Sequence, residues 1–401
     1  MIRLAMMAAM VLAAVPASAQ DAQVVKSAVL RVDLANKLPP ISRLDLAPEN
    51  MGFDGALLAI DDNQTTGRFM GQDFVNENVL VPVATLEAAP QAAVAEMERL
   101  IADGVGFIVS MADAETTLAM ADAAGDRALI INAIAPEDSL RNEECRANML
   151  HVAPSRAMTT DALAQFLLWK KWTDWFLIYG SHPDDIELAE AYRRTARKFG
   201  AKIVEERVFE DTGGARRTDT GHVQVQKAIP VFTQRAEGHQ VVVAADETGY
   251  FAAYLPYQTW DPRPVVGSAG LRAVTWHPAQ EAWGAPQFQN RFEDLAGRYM
   301  RPEDYQVWLS LRVLGEAATR TQSTEYQVLK DFILGPEFEV AGFKGQKLTF
   351  RPWDGQLRQP ILLTGPRVLV SVSPQEEFIH QVTRLDTLGT DQPETGCQIE
   401  R

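Results

Sequence analysis

The sequence is short of most things an enzyme active site draws on. Its six histidines, at 151, 182, 222, 239, 277 and 380, show no His-x-x-x-His or other metal-ligand spacing. The segment GSAG (267–270) lacks the Gly-x-Ser-x-Gly spacing of a nucleophile elbow. The turn-like TTGR (65–68) lacks the glycine spacing that wraps a phosphate, and reads as the end of a helix with Arg68 at its tip. Adjacent acids such as Asp61 and Asp62 diverge around a helix and do not converge on a metal. Asp184 and Asp185, after Pro183, suit a first helical turn, where the dipole favours carboxylates. No catalytic residue, catalytic cofactor or metal site is therefore expected.

Positive charge is scarce as well. The 38 Lys and Arg face 53 Asp and Glu, a formal net charge of −15. That balance argues against nucleic acid or anionic lipid as a bulk partner, and leaves room for a small anion in one local basic pocket. No apolar run beyond the N-terminus could span a bilayer. Residues 1–19 read as a cleavable secretion signal: Arg3, the apolar LAMMAAMVLAAVPA, then the small-x-small site Ala17-Ser18-Ala19. No cysteine follows that site, so a soluble, unanchored periplasmic monomer is expected. The two cysteines, Cys145 and Cys397, form an even pair in an oxidising compartment and read as one disulfide, with two free buried thiols as the alternative.

What the chain does have is alternation. Strand-like runs at 27–34, 79–84, 104–110 and 128–133 are separated by helix-period segments over 51–62, 90–102 and from Asp113. A second set follows Pro154: helix 155–171, strand 175–180, helix 184–199, strand 201–209, helix 222–237, strand 240–246, helix 248–258 and strand 263–269. Continuous Val/Ile/Leu runs suit strands covered on both faces, hence parallel sheets. The fold class is α/β, with two doubly wound parallel-sheet lobes and a ligand cleft between them. The tail differs: two helices over 286–322, then strand-like KLTFRP, PILLTG and RVLVSVS. Lobe 1 is assigned 20–153 plus about 275–345, lobe 2 is assigned 154–274 plus about 346–385, and 386–401 is set apart as a C-terminal tail. Several chain crossings are expected between the lobes.

Ligands of doubly wound sheets bind outside the carboxyl ends of the strands. That rule selects Ser42, Arg43, Ser110, Met111, Arg156, His182, Asp246, Arg272 and Trp276 as candidate ligand contacts. Each alone has a plainer reading; Ser110, Ser155 and Ser181 all stand where helix N-caps belong. Together they make a serine-rich rim with arginines and a tryptophan, a chemistry suited to carboxylates on an aromatic body.

Four segments, in this order and spacing, carry a resemblance: GFDGALLAIDDNQTTGRFMGQDF, GVGFIVSMADAETTLAMADAAGDRALIINAIAP, HVAPSRAMTTDALAQFLLWKKWTDWFLIYG and FKGQKLTFRPWDGQLRQPILL. The chain resembles the type I periplasmic solute-binding proteins (Venus flytraps) of the branched-chain amino acid class that serve ABC transporters. AIDDNQTTGRFMGQDF, LRNEECRANMLHVAPSRAM and FRPWDGQLRQPILL are similar to the subgroup associated with PQQ-dependent alcohol dehydrogenase systems. The resemblance implies a bound solute, pyrroloquinoline quinone (PQQ) first, and as partner an ABC transporter permease or a PQQ-dependent dehydrogenase. Amino acid binders hold the ligand ammonium with an acid in the loop resembling GSAGLRA; here that loop offers Ala269 and Arg272, which implies an anionic ligand. Other small organic acids or amino acids, a cleft hydrolase and a ligand sensor remain as alternatives.

Overall fold

The computed structural model describes residues 23–35, 46–211 and 221–399, with the side chains of 221–223 left aside. The segment read as a secretion signal, Ser42 and Arg43 lie outside the described residues. The chain opens with β1 (Gln23–Leu34), α1 (Phe53–Met70), β2 (Gln72–Val83), α2 (Ala89–Ala102), β3 (Phe107–Met111), α3 (Ala114–Ala124), β4 (Leu129–Asn132) and β5 (Met149–His151). These strands form one parallel sheet in the order β2-β1-β3-β4-β5. Then come α4 (Arg156–Trp169), β6 (Asp174–Gly180), α5 (Pro183–Phe199), β7 (Lys202–Phe209), α6 (Gly221–Thr233), β8 (Val241–Ala245), α7 (Leu255–Gln258) and β9 (Val265–Gly267). They build a second parallel sheet, β7-β6-β8-β9.

After β10 (Arg272–Val274) the chain returns with α8 (Ala285–Ala296), α9 (Pro302–Thr321), α10 (Tyr326–Leu334), β11 (Val340–Ala341), β12 (Lys347–Phe350) and β13 (Leu357–Arg358). It closes with β14 (Ile361–Gly365) and β15 (Val368–Ser373), which join β10 in an antiparallel sheet. Apolar burial drives the layering. Val29, Phe107 and Leu129 of the first sheet pack with Trp276, Phe288 and Tyr305 from the returning segment. Trp175, Leu177 and Val243 of the second pack with Ile361, Leu363 and Leu388. The helices carry ordinary stops and starts. Asp113 caps α3 by accepting from Thr116 N at 2.8 Å, and Ser155 caps α4 by accepting from Met158 N at 3.2 Å.

Several boundaries differ from the sequence reading. The helix read as ending at TTGR runs on to Met70 and stops at Gly71, which has φ 67. Gly67 lies inside it and is needed for space: a Cβ there would meet Gln72 O at 2.6 Å and the Phe74 ring at 2.7 Å. The helix expected over 248–258 shrinks to short turns at 252–258, while β5 and α10 have no counterpart in the expected elements. The boundary placed at 345 falls later, since Leu348 and Leu357 still belong to the first core and the chain enters the second at Ile361. Of the residues set apart as a tail, Leu388 sits in the second core.

Among the described residues the chain passes between the cores three times: between Val152 and Met158, between Ala273 and Trp276, and between Leu357 and Ile361. Buried polar side chains bind these crossings to one another. Lys344 Nζ donates to Thr275 O and Pro360 O, on the second and third crossings. Gln359 Nε2 donates to Val152 O at 2.7 Å, joining the third crossing to the first. Arg141 donates to Gln356 Oε1 and Ala153 O at 2.9 and 2.8 Å, and Gln356 Nε2 donates to His151 O at 3.1 Å. Burial pushes the Lys344 ammonium down to about 7, so two carbonyls and the Tyr305 ring, 5.1 Å away, offset only part of the lost hydration.

Candidate functional site

The carboxyl ends of both parallel sheets meet at Arg156, the first residue of α4 after the first crossing. Arg156 is 3% exposed. From the loop after β4 in lobe 1, Glu137 approaches its Nη2 at 3.5 Å. From the loop after β8 in lobe 2, Glu247 accepts from Nε at 2.9 Å and from Nη2 at 2.7 Å. The start of α5 adds Glu187 at 2.5 Å and Asp184 at 3.7 Å. Four carboxylates therefore surround one arginine. Burial pushes the Glu247 carboxyl up to about 7, against the lowering effect of Arg156. Burial also raises Glu137, and its Oε2 is buried with no hydrogen-bond partner among the described residues. Burial opposes the Arg156 charge, yet Glu247 and the surrounding acids hold its guanidinium above the ordinary value. A cavity of about 440 Å³ opens here, lined by Glu137, Asp138, Arg156, Glu187 and Arg194 among others.

The remaining candidates fare differently. The sequence offers Arg156 as an open partner for an anion; instead its charge is already engaged by carboxylates. It offers Trp276 as an aromatic platform at the cleft, but the indole is a core group. Trp276 is 1% exposed, stacks on Tyr305 at 5.1 Å between ring centroids, and donates Nε1–H to Gln289 at 2.9 Å. Its neighbours in lobe 1 form an apolar slot that the sequence could not reveal. Met111 is likewise in the first core, and Ser110 is buried with its Oγ 2.8 Å from Thr117 Oγ1. Asp246 turns back onto its own loop, accepting from the N–H groups of Tyr250, Phe251 and Ala252 at 2.8, 2.8 and 2.6 Å. His182 stands at the N-cap of α5 with Nε2 2.9 Å from Asp211 Oδ2. Of the described candidates only Arg272, at the second crossing, is exposed, and its charge adds to burial in lowering the His277 pKa. The sequence reading does not single out Glu137, Glu187 or Glu247. No local motif marks them, because they converge only when two lobes and three loops come together.

A larger cavity, about 820 Å³, lies elsewhere, between α1, α8, α9 and residues 341–347. Its charged groups pair among themselves or with close neighbours: Arg291 with Asp61 and Asp62, Arg312 with Asn63, and Lys347 with Glu339. None of its lining residues lies in a loop at the carboxyl end of a parallel strand, so the Arg156 cavity is the better candidate despite being smaller.

Among the described residues no helix is long and apolar enough to cross a membrane, and no group of three or more His, Cys, Asp or Glu is placed to hold a metal ion. The expected cysteine pair is present as a disulfide, Cys145–Cys397.

None of the curated proteins compared matches the chain. Solved structures do match its fold. A branched-chain amino acid ABC transporter periplasmic ligand-binding protein from Burkholderia xenovorans LB400 aligns with TM-score 0.65 and 16% identity, over 87% of this chain and 94% of its own. A solute-binding protein of an ABC transporter from R. palustris, solved with 4-hydroxybenzoate, gives 0.62 and 12% over 88% of this chain and 97% of its own. Another from R. palustris, solved with benzoate, gives 0.65 and 11% over 94% and 100%. The family model described as periplasmic binding protein matches residues 47–365, most of the length, and the two-lobed parallel-sheet architecture agrees with it: the chain belongs to the periplasmic binding protein family.

Proposed function

We propose that this protein is the solute receptor of an ABC importer, working in the periplasm, and that it closes its two lobes on a small molecule bearing a positively charged group. One observation carries the reading: Glu137 of lobe 1 and Glu247 of lobe 2 converge on the same arginine, in carboxylate excess over its single charge. Closure driven from both sides requires contacts from both lobes, and the cavity wall carries Glu137 from lobe 1 and Glu187 from lobe 2. The buried Oε2 of Glu137 has no protein donor among the described residues, and an ammonium group would supply one. A zwitterionic amino acid is the simplest such ligand. The similar protein from B. xenovorans is a ligand-binding protein of a branched-chain amino acid ABC transporter, which supports that choice.

A second reading rests on Arg272. This exposed residue makes no ion pair with the other described residues, and an aromatic carboxylate, PQQ first among them, would find a partner there. The segments that resemble the PQQ-associated subgroup favour it, as do the two aromatic acids in the R. palustris structures. Delivery of PQQ to a dehydrogenase would then stand beside import.

Calorimetry on the mature protein with leucine, benzoate and PQQ separates the two. Under the first reading leucine or a related amino acid binds, and Glu137→Gln weakens it at least tenfold while Arg272→Ala does not. Under the second, PQQ or benzoate binds and the sensitivities are reversed. An ammonium ligand indifferent to Glu137→Gln would sink the first.

A further inference from the structure

The last residues of the chain belong to both lobes. Leu388 fills the second core, and Gln165 Nε2 donates to Thr387 Oγ1 at 2.8 Å. Gly389 O accepts from Arg194 Nη2 and Lys198 Nζ at 2.8 and 2.7 Å, while Gly389 N donates to Asp161 Oδ2 at 2.9 Å. A Cβ at Gly389 would meet Met158 Cγ at 2.7 Å, so the segment lies directly on α4. Glu394 makes the final contacts with lobe 2, to Lys198 at 3.4 Å and Arg194 at 3.5 Å. The next residues turn to the 141–145 segment of lobe 1. Thr395 Oγ1 donates to Arg141 O at 3.2 Å, Gly396 N donates to Asn142 Oδ1 at 3.3 Å, and Cys397 is bonded to Cys145.

We infer that residues 386–397 form a covalent strap that limits how far the two lobes can part. The strap is a fourth connection between them, and it differs from the other three. The crossings are ordinary backbone near a shared hinge, whereas the strap is clamped on α4 and α5 at one end and locked by a disulfide at the other. The span from Glu394 to Cys397 can reach at most about 10 Å when fully extended. Any swing of α5 away from the 141–145 segment must fit within that length, or strip Glu394 and Gly389 from their cationic partners.

Two segments quoted in the sequence analysis build the strap. LRNEECRANM supplies Arg141, Asn142 and Cys145. FRPWDGQLRQP supplies Arg351 and Arg358, whose Nε groups both donate to Asp386 Oδ1, at 2.9 and 2.8 Å. Arg351 also donates to Leu385 O, Leu388 O and Thr390 O at 3.1, 2.7 and 3.1 Å.

The test needs no ligand, so its outcome is separate from that of the proposed function. Small-angle scattering is recorded on ligand-free mature protein in three forms: oxidised, reduced with a phosphine until two thiols titrate, and ended after Glu394. The radius of gyration, about 21 Å for a compact chain of this length, is expected to rise by roughly 1 Å or more in the second and third forms. Circular dichroism and a cooperative melt are followed in parallel. An unchanged profile in either form overturns the strap, and so does an expansion that appears only as the circular dichroism signal is lost.

Discussion

Arg156 directs two donors, Nε and Nη2, at the same oxygen of Glu247, at 2.9 and 2.7 Å. The other carboxylates around it compete for what remains of one positive charge. Glu247 is the most affected, and its carboxyl is pushed up from 4.5 to about 7 by burial. A carboxyl raised on folding favours the folded state when protonated. Its contribution is fully present below about 4.5 and is lost as pH rises through 7. Relative to Glu247→Gln, the wild type should therefore lose roughly 1–3 kcal/mol between pH 5 and pH 8. Denaturant melts of both proteins across that range check it; parallel pH slopes would refute it.

Asp246 has a different duty from its neighbour. It receives three backbone N–H groups of the loop that follows. Asp246→Ala should leave those buried donors without an acceptor and cost roughly 3 kcal/mol. Thermal unfolding measures the loss, and a change below about 1 kcal/mol would mean the loop re-forms its bonds another way.

Gly67→Ala would raise stability if helix propensity ruled, by about 1 kcal/mol. The close approach of Gln72 O and the Phe74 ring reverses the sign. We expect a net loss of roughly 1–3 kcal/mol, as for other overpacked sites. A stabilised variant in a urea titration would show that α1 can shift away from β2 without cost.

Arg351 is 1% exposed and ties Asp386 and three tail carbonyls together. Replacing it with methionine fills the space and leaves the buried Asp386 with one fewer cation. The expected cost is about 3–5 kcal/mol. Hydrogen exchange should show lost protection at 385–390 before any other part of lobe 2. Uniform loss across the protein would place the effect in the global core.

The sheets were legible because central parallel strands need unbroken Val/Ile/Leu runs, as at FIVSM and VVVAA. Helix caps at Asp113 and Ser155 were legible for a similar reason, since capping is a contact between near neighbours in sequence. Gly67 misled because the sequence shows a glycine and cannot tell freedom of φ from lack of room. Trp276 misled because a strand-end position says where the backbone goes and nothing about which way an indole turns. The acids around Arg156 were hidden by distance, with Glu137 and Glu247 brought together from different lobes. The disulfide was the exception among long-range contacts, because two cysteines allow only one pairing.

Neither lobe is a continuous stretch of chain, and that sets an order for folding. The first sheet is complete at His151, yet the face that packs on Trp276, Phe288, Tyr305 and Leu314 stays bare until those residues arrive. The second sheet is complete at Gly267 and waits in turn for Ile361, Leu363 and Leu388. A chain released N-terminus first therefore passes through a long interval with two finished sheets, both half uncovered. Such intermediates fold slowly and stick to one another. The rate at which native protein appears should depend on how soon the last third of the chain is available, more than on any step within the first two.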